Sequence, residues 1–221
     1  MDFIREALNW FLHLDKQLDV IIRDYQYWTY AILFVIVFCE TGLVVTPFLP
    51  GDSLLFMAGA MAVRDGSPLQ VRWLIVSLVV AAVLGDTVNY WIGKLFGEAL
   101  GKKFPRVVKK EYLERTHKFY EKYGGETIIL CRFVPIVRTF APFVAGVGEM
   151  SYRKFFTYNV IGGILWVVIF VVCGCWFGRL KFVQDHFGRV ELGIIVISVL
   201  PMVIEYMRFR RDSKRESKLA S

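Results

Sequence analysis

The sequence predicts an all-α integral membrane protein: an inverted repeat of two re-entrant helical hairpins, each followed by a transmembrane helix, plus an N-terminal amphipathic helix and a C-terminal transmembrane helix. Three observations carry this. Hydrophobic residues fill 56% of the 221 positions, with 19 phenylalanines and a mean hydropathy of +0.47, more apolar surface than one soluble core can hide. Two long apolar stretches are interrupted at mid-length by prolines and charges. The interrupted pattern also recurs, because an offset of 92 residues aligns Ile36–Pro50 with Ile128–Pro142.

Residues 1–26 open with apolar residues at Phe3/Ile4, Ala7/Leu8, Trp10/Phe11, Leu14, Leu18 and Ile21/Ile22, with charges between them. Such a pattern suits a helix lying in the interface. Asp2 and Glu6 stand where a cleavable signal carries basic residues, and no small-residue cleavage site follows, so the segment is expected to stay on the protein.

Residues 27–63 contain only Glu40 and Asp52 as charges between Tyr27 and Val63. As one helix this stretch would reach ~55 Å at about 1.5 Å per residue, too long to stand straight in a hydrocarbon core of ~30 Å. The run Thr46-Pro47-Phe48-Leu49-Pro50-Gly51-Asp52 breaks it, since each proline removes a donor and clashes with the preceding turn. The two limbs form either a hairpin entering and leaving on one side or two short spans.

Residues 71–97 make an ordinary transmembrane helix whose centre, Trp73–Gly93, holds a single charge, Asp86. Residues 98–126 form a basic connector, with eight Lys/Arg against three Glu between positions 102 and 122. Residues 127–149 are the second hairpin, where Arg132, Pro135, Arg138 and Pro142 prevent a plain helix. A span over 154–178, uncharged from Phe155, and a last one over 188–207 follow, and 208–221 is a basic tail. The connector, Arg153-Lys154 and the tail should share the cytoplasmic side. Residues 1–26 carry three basic and five acidic residues, which places them on the opposite face. The first hairpin then opens outward and the second inward.

In the repeat, Ile36/Ile128, Cys39/Cys131, Val45/Val137, Phe48/Phe140 and Pro50/Pro142 are identical, and Glu40 stands opposite Arg132 and Thr46 opposite Arg138. Inverted repeats of broken helices are the usual plan of secondary transporters, with the site where the breaks meet.

Arg132 and Arg138 are the most informative residues, since an arginine at mid-membrane costs on the order of 2.5–3.5 kcal/mol on insertion scales. Either they pair with internal carboxylates for structure, or they bind a phosphate arriving from the lipid, which a planar guanidinium meets with two donors at once. Freed backbone groups around Pro135 and Pro142 would add donors to such an anion site. Glu40 and Asp52 are the complementary pair. Desolvation and a neighbouring arginine act in opposite directions on a buried carboxylate, so the pair either exchanges protons near neutral pH, the favoured reading, or stands as static counter-ions. Pro47, Pro50 and Gly51 shape the first break. Asp86 and Asn89 are expected as helix-packing polar groups, as is Asn159 with Gly162, Gly163 and Trp166.

Other chemistries find little support. A net charge of +7 and a pI near 9.3 could suggest nucleic acid, but the basic residues cluster beside hydrophobic segments, the pattern of membrane surfaces. Cys39, Cys131, Cys173 and Cys175 all lie in apolar stretches and imply neither a disulfide framework nor zinc. His13, His117 and His186 lie outside the apolar segments without a partner at metal-ligand spacing, and no nucleophile triad or phosphate-cradling glycine loop is evident. The chain is therefore not expected to be an enzyme or to need a cofactor.

Phe38-Cys39-Glu40-Thr41-Gly42-Leu43, the run Pro47 to Ser53, Arg132-Phe133-Val134-Pro135-Ile136-Val137-Arg138-Thr139 and Pro142 together resemble the bacterial DedA family of VTT-domain proteins. The likeness extends to Gly85-Asp86 and the Asn159–Trp166 patch. It implies an inner-membrane fold with two re-entrant hairpins and a role in lipid translocation. It also implies an essential acidic pair and arginine pair linked to the proton motive force, which fall by motif on Glu40, Asp52, Arg132 and Arg138. The expected partners are a phospholipid or a polyprenyl phosphate such as undecaprenyl phosphate, protons and the bilayer, with a homo-oligomer left open. Two rivals stand beside this flippase-like or scramblase-like transporter: a proton-coupled cation or drug antiporter, and a non-transporting envelope assembly factor.

Overall fold

The computed structural model describes residues 14–43, 51–103, 125–148 and 150–180, together with Gly193. Among these residues the chain is all-helical: α1 Leu14–Tyr25, α2 Trp28–Gly42, α3 Gly51–Ala62, α4 Val71–Lys103, α5 Glu126–Cys131, α6 Pro135–Val147 and α7 Tyr152–Phe177. The expectations for residues 1–13, for Pro47 and Pro50, for the connector from 104 to 124, for the last span and for the tail lie outside the described residues, Gly193 apart.

Length separates the helices into two kinds. The apolar stretches Val71–Phe96 and Tyr152–Phe177 hold 26 residues each, about 39 Å at ~1.5 Å per residue, enough to cross a bilayer. The 15 residues of α2, 12 of α3, 13 of α6 and 6 of α5 are each too short. α4 runs past the expected end at residue 97 to Lys103, because Glu98, Ala99, Leu100, Lys102 and Lys103 favour helix and the next proline is Pro105.

The second break differs in detail from the sequence expectation. Pro135 opens α6 as its first residue, where a proline's missing N–H is not needed. Pro142, expected to interrupt the segment, lies inside α6. It omits only the bond its amide would have made to the Arg138 carbonyl. α6 has thus already begun where the 92-residue offset would start the second limb, at Phe143, so that register holds for the first limbs and not for the second.

The helices interlock in a fixed pattern. α2 lies along α4 and α5 along α7, each beside the long helix that follows it, whereas α3 crosses to α7 and α6 crosses to α4. Individual contacts give the directions. The Gln70 amide donates to the Tyr30 hydroxyl at 2.6 Å while Gly42 meets Gly85, so α2 runs parallel to α4. Trp166 reaches Asp52 and Gly178 meets Ala60, so α3 runs parallel to α7. Asn89 bonds Thr139 and Gly146 meets Lys94, making α6 parallel to α4. Gly125 beside Tyr158 and Gly162 beside Ile129 do the same for α5 and α7. α4 and α7 themselves run antiparallel, with Val83 against Gly163 and Tyr90 stacked on Phe155. The outer ends of α2 and α3 therefore sit at one end of the bundle and those of α5 and α6 at the other, and all four inner ends converge at mid-length.

Close crossings depend on glycine. A Cβ on Gly59 would strike the Val171 carbonyl, one on Gly174 that of Phe56, one on Gly93 that of Phe143 and one on Gly146 that of Tyr90. Small residues that let backbones touch are the usual helix contact in membranes. The main core joins Leu33, Val37, Leu55, Met61, Leu74, Leu78, Val167 and Val171 from α2, α3, α4 and α7. The outward faces are also apolar: Val76, Val80, Leu84 and Val88 on α4, and Ile161, Leu165, Ile169 and Val172 on α7, are exposed. Water would penalise such a belt, whereas lipid solvates it.

Candidate functional site

Five charged side chains lie buried where the inner helix ends meet: Glu40, Asp52, Asp86, Arg132 and Arg138. Helix geometry puts each in place. Glu40 is on the last turn of α2 and Asp52 on the first turn of α3. Arg132 caps the C-terminus of α5, and Arg138 lies on the first turns of α6. Asp86 sits midway along α4.

They divide into two clusters. In the first, Arg138 donates through Nη2 to Glu40 Oε1 and through Nη1 to Asp52 Oδ1 at 2.7 Å. Trp166 of α7 donates from Nε1 to the same Asp52 oxygen at 2.8 Å, and its ring lies 5.0 Å from the guanidinium carbon. Glu40 Oε1 also accepts from the Gly51 amide at 3.1 Å, so a carboxylate closes the positive N-terminus of α3. Residue 51 is glycine for a steric reason, because a Cβ there would overlap the Glu40 carboxylate.

In the second cluster Arg132 donates through Nη2 to Asp86 Oδ2 and to the Asn159 side-chain oxygen. Asn159 in turn donates to the Val83 carbonyl at 3.1 Å. The Arg132 stem passes over Gly162, where an added Cβ would lie 3.0 Å from Cδ. Asn89 joins α2 to α6 by donating to the carbonyls of Thr41 at 3.1 Å and Thr139 at 2.7 Å. A cavity of about 10 Å³ separates the clusters, lined by Thr41, Asp86, Arg132, Arg138, Thr139 and Trp166. That is room for roughly one water and not for a phosphate.

The sequence-selected residues thus meet, but not in the pairs the repeat suggested. Glu40, which the repeat alignment set opposite Arg132, holds Arg138. Arg132 instead takes Asp86 and Asn159, two residues expected only as helix-packing groups. Aligned positions in a repeat occupy equivalent places and need not touch. Gly51 and Pro135 lie at the inner ends, while Pro142 lies one turn beyond Arg138. Trp166 is the residue whose site role the sequence did not reveal, since a tryptophan in an apolar span reads as packing; its only signal was its place in the Asn159–Trp166 patch. Among the described residues Glu40 Oε2, Arg132 Nε, Arg138 Nε and Asn89 Oδ1 are buried without a hydrogen-bond partner, so the network retains unused capacity. Among those residues no group of His, Cys, Asp and Glu could hold a metal ion.

Trp166→Phe keeps an aromatic ring beneath Arg138 and removes the donor to Asp52. It should cost about 1.5–3 kcal/mol, the range for a hydrogen bond to a charged group. Denaturant unfolding of the detergent-purified variant measures this, and a change within experimental error would show that the indole bond contributes nothing.

Comparison with known proteins places the chain. A VTT domain is matched over residues 49–175. The chain is similar to Protein DedA of Escherichia coli K12, 54% identical over 219 residues that cover 99% of this chain and all of that protein. An uncharacterized membrane protein of Mycobacterium tuberculosis H37Rv is 42% identical over 180 residues, 81% of this chain and 79% of its own. The inner membrane protein YqjA of Escherichia coli K12 is 34% identical over 175 residues, 79% of each chain. No solved structure matches. The domain match, the near-complete alignment and the apolar outer faces agree: the chain belongs to the DedA family of VTT-domain membrane proteins.

Proposed function

We propose that this protein is a multi-pass transporter of the bacterial inner membrane that moves an anionic phospholipid or a polyprenyl phosphate, such as undecaprenyl phosphate, across the bilayer, linked to the proton motive force. The observation that carries this reading is the burial of Arg132 and Arg138 at the meeting point of two short helix pairs that open at opposite ends of the bundle. In this reading α2–α3 and α5–α6 are re-entrant hairpins in inverted repeats, the second opening to the cytoplasm on the side of Arg153, Lys154 and the C-terminus. The lipid phosphate passes between the hairpins while its tail stays in the bilayer. Arg132 and Arg138 take the phosphate, and Glu40 and Asp52 release Arg138 by accepting protons. The water-sized cavity corresponds to an occluded conformation, from which either hairpin must move to admit a headgroup.

The test is translocation of labelled phosphatidic acid and of a labelled polyprenyl monophosphate in proteoliposomes. Alanine at Arg132 or Arg138 should abolish transport. Lysine at either position should lose it at least about tenfold, because an ammonium cannot reproduce two-pronged phosphate binding. Transport that survives alanine would refute the reading. A cation or drug antiporter is the second reading, favoured by the three carboxylates that stand against two guanidiniums in the core. It predicts that lysine retains full activity and that no phosphate lipid moves.

A further inference from the structure

The buried charges do not balance. Glu40, Asp52 and Asp86 oppose Arg132 and Arg138, so with every group ionised the described core carries one excess negative charge. A buried uncompensated charge is expensive. A phosphate arriving at either arginine adds further negative charge. Protons taken up by these carboxylates would offset the charge of an entering anion.

The two arginines differ in what must be neutralised to release them. Arg138 is held by two carboxylates, and when one takes a proton the other remains. Arg132 has one charged partner among the described residues, Asp86, and its other acceptor, Asn159, is neutral. A single proton on Asp86 thus cancels the ion pair on Arg132 and leaves it only the neutral hydrogen bonds of Asn159. The groups that face Asp86 are Arg132 at the end of α5, Arg138 and Thr139 from α6, Asn159 and Trp166 from α7 and Thr41 from α2, with Glu40 and Asp52 beyond Arg138. Asp86 belongs to a long helix and not to either hairpin, so it can keep its place while the hairpin carrying Arg132 moves.

We propose that Asp86 is a proton-controlled counter-ion that withholds Arg132 from an anionic phosphate headgroup until it is protonated, so that headgroup and proton load together. This rests on the phosphate-lipid reading above and assigns the step that regulates it. Asp86 is here a positioning residue, acting on the substrate through Arg132.

Two arms test it on the full-length protein. In the first, binding of farnesyl phosphate in detergent is measured from pH 5.5 to 8.0. The ligand's own titration is common to all variants and drops out of their comparison. Asp86→Asn should flatten the pH dependence of the dissociation constant by about one proton, tenfold per pH unit, and should bind more tightly than wild type at pH 8. Asn159→Asp adds a fourth carboxylate, and should steepen the dependence and weaken binding at pH 8; it keeps the test alive if Asp86→Asn does not fold. Unchanged slopes in these variants, or uniformly weaker binding in Asp86→Asn, would overturn the proposal. The second arm needs no lipid. Phenylglyoxal labelling at pH 8, read by peptide mass spectrometry, should modify Arg132 at least about tenfold faster in Asp86→Asn, with Arg138 still protected. Equal protection of Arg132 defeats the proposal. If Arg132 is released but wild type binds no farnesyl phosphate, the phosphate-lipid reading fails while the hold of Asp86 on Arg132 stands.

Discussion

Arg138→Ala should yield a folded protein about 3–5 kcal/mol less stable at neutral pH, with much of the loss recovered on acidification. The variant leaves Glu40 and Asp52 buried side by side without the cation that bridges them. Acid that neutralises this orphaned pair removes its mutual repulsion and its desolvation. The sign follows from linkage: the folded variant binds more protons than the folded wild type, so its stability relative to wild type rises as pH falls. Arg132→Ala orphans one acid, Asp86, and its recovery should follow about one proton where that of Arg138→Ala follows up to two. Thermal unfolding of the purified variants at pH 8.0 and 5.5 measures both. Equal losses at the two pH values would show that the acids are not held by these arginines.

Gly174→Leu should prevent recovery of folded protein altogether. The Cβ at this position collides with the Phe56 backbone carbonyl, and a backbone cannot swing aside as a side chain can. α3 must then leave α7, and with it Asp52 leaves Trp166. Gly59→Leu attacks the same crossing from the other helix, against the Val171 carbonyl, and should fail alike. Val172→Leu, a neighbouring change on the exposed face of α7, serves as control. Fluorescence-detected gel filtration after membrane extraction reads the result, and a monodisperse Gly174→Leu peak at wild-type yield would contradict the close crossing.

These two cases also mark what sequence reading could reach. The short limbs were legible because an apolar run interrupted by Pro47, Pro50 and Pro135 cannot be a straight span, and because charges in such a run demand partners. The five buried charges were visible for the same reason. Their pairing was not. Arg132 and Asp86 are 46 positions apart, and Arg138 and Glu40 are 98 apart, so their contacts depend on how helices cross and on no local pattern. Pro142 misled because a proline inside a short helix omits one bond, at the Arg138 carbonyl, without ending the helix. The glycines gave a weaker signal still: nothing in the sequence marks Gly174 as the one whose Cβ would strike the Phe56 carbonyl.

The exchange of limbs between halves has a consequence for biogenesis. α3 has its chief partner in α7, and the bond from Trp166 to Asp52 spans 114 positions. At a synthesis rate of about 5–20 residues per second, α3 waits on the order of ten seconds before that partner leaves the ribosome. During that interval Asp52 and Glu40 have no arginine, and a buried unpaired carboxylate is costly. The nascent α2 and α3 are therefore expected to stay at the water interface, or against the insertion machinery, and to pack inward only when the second half delivers Arg138. Each half lacks partners that the other supplies, and translation order makes α6 the helix that completes the Glu40–Asp52–Arg138 cluster.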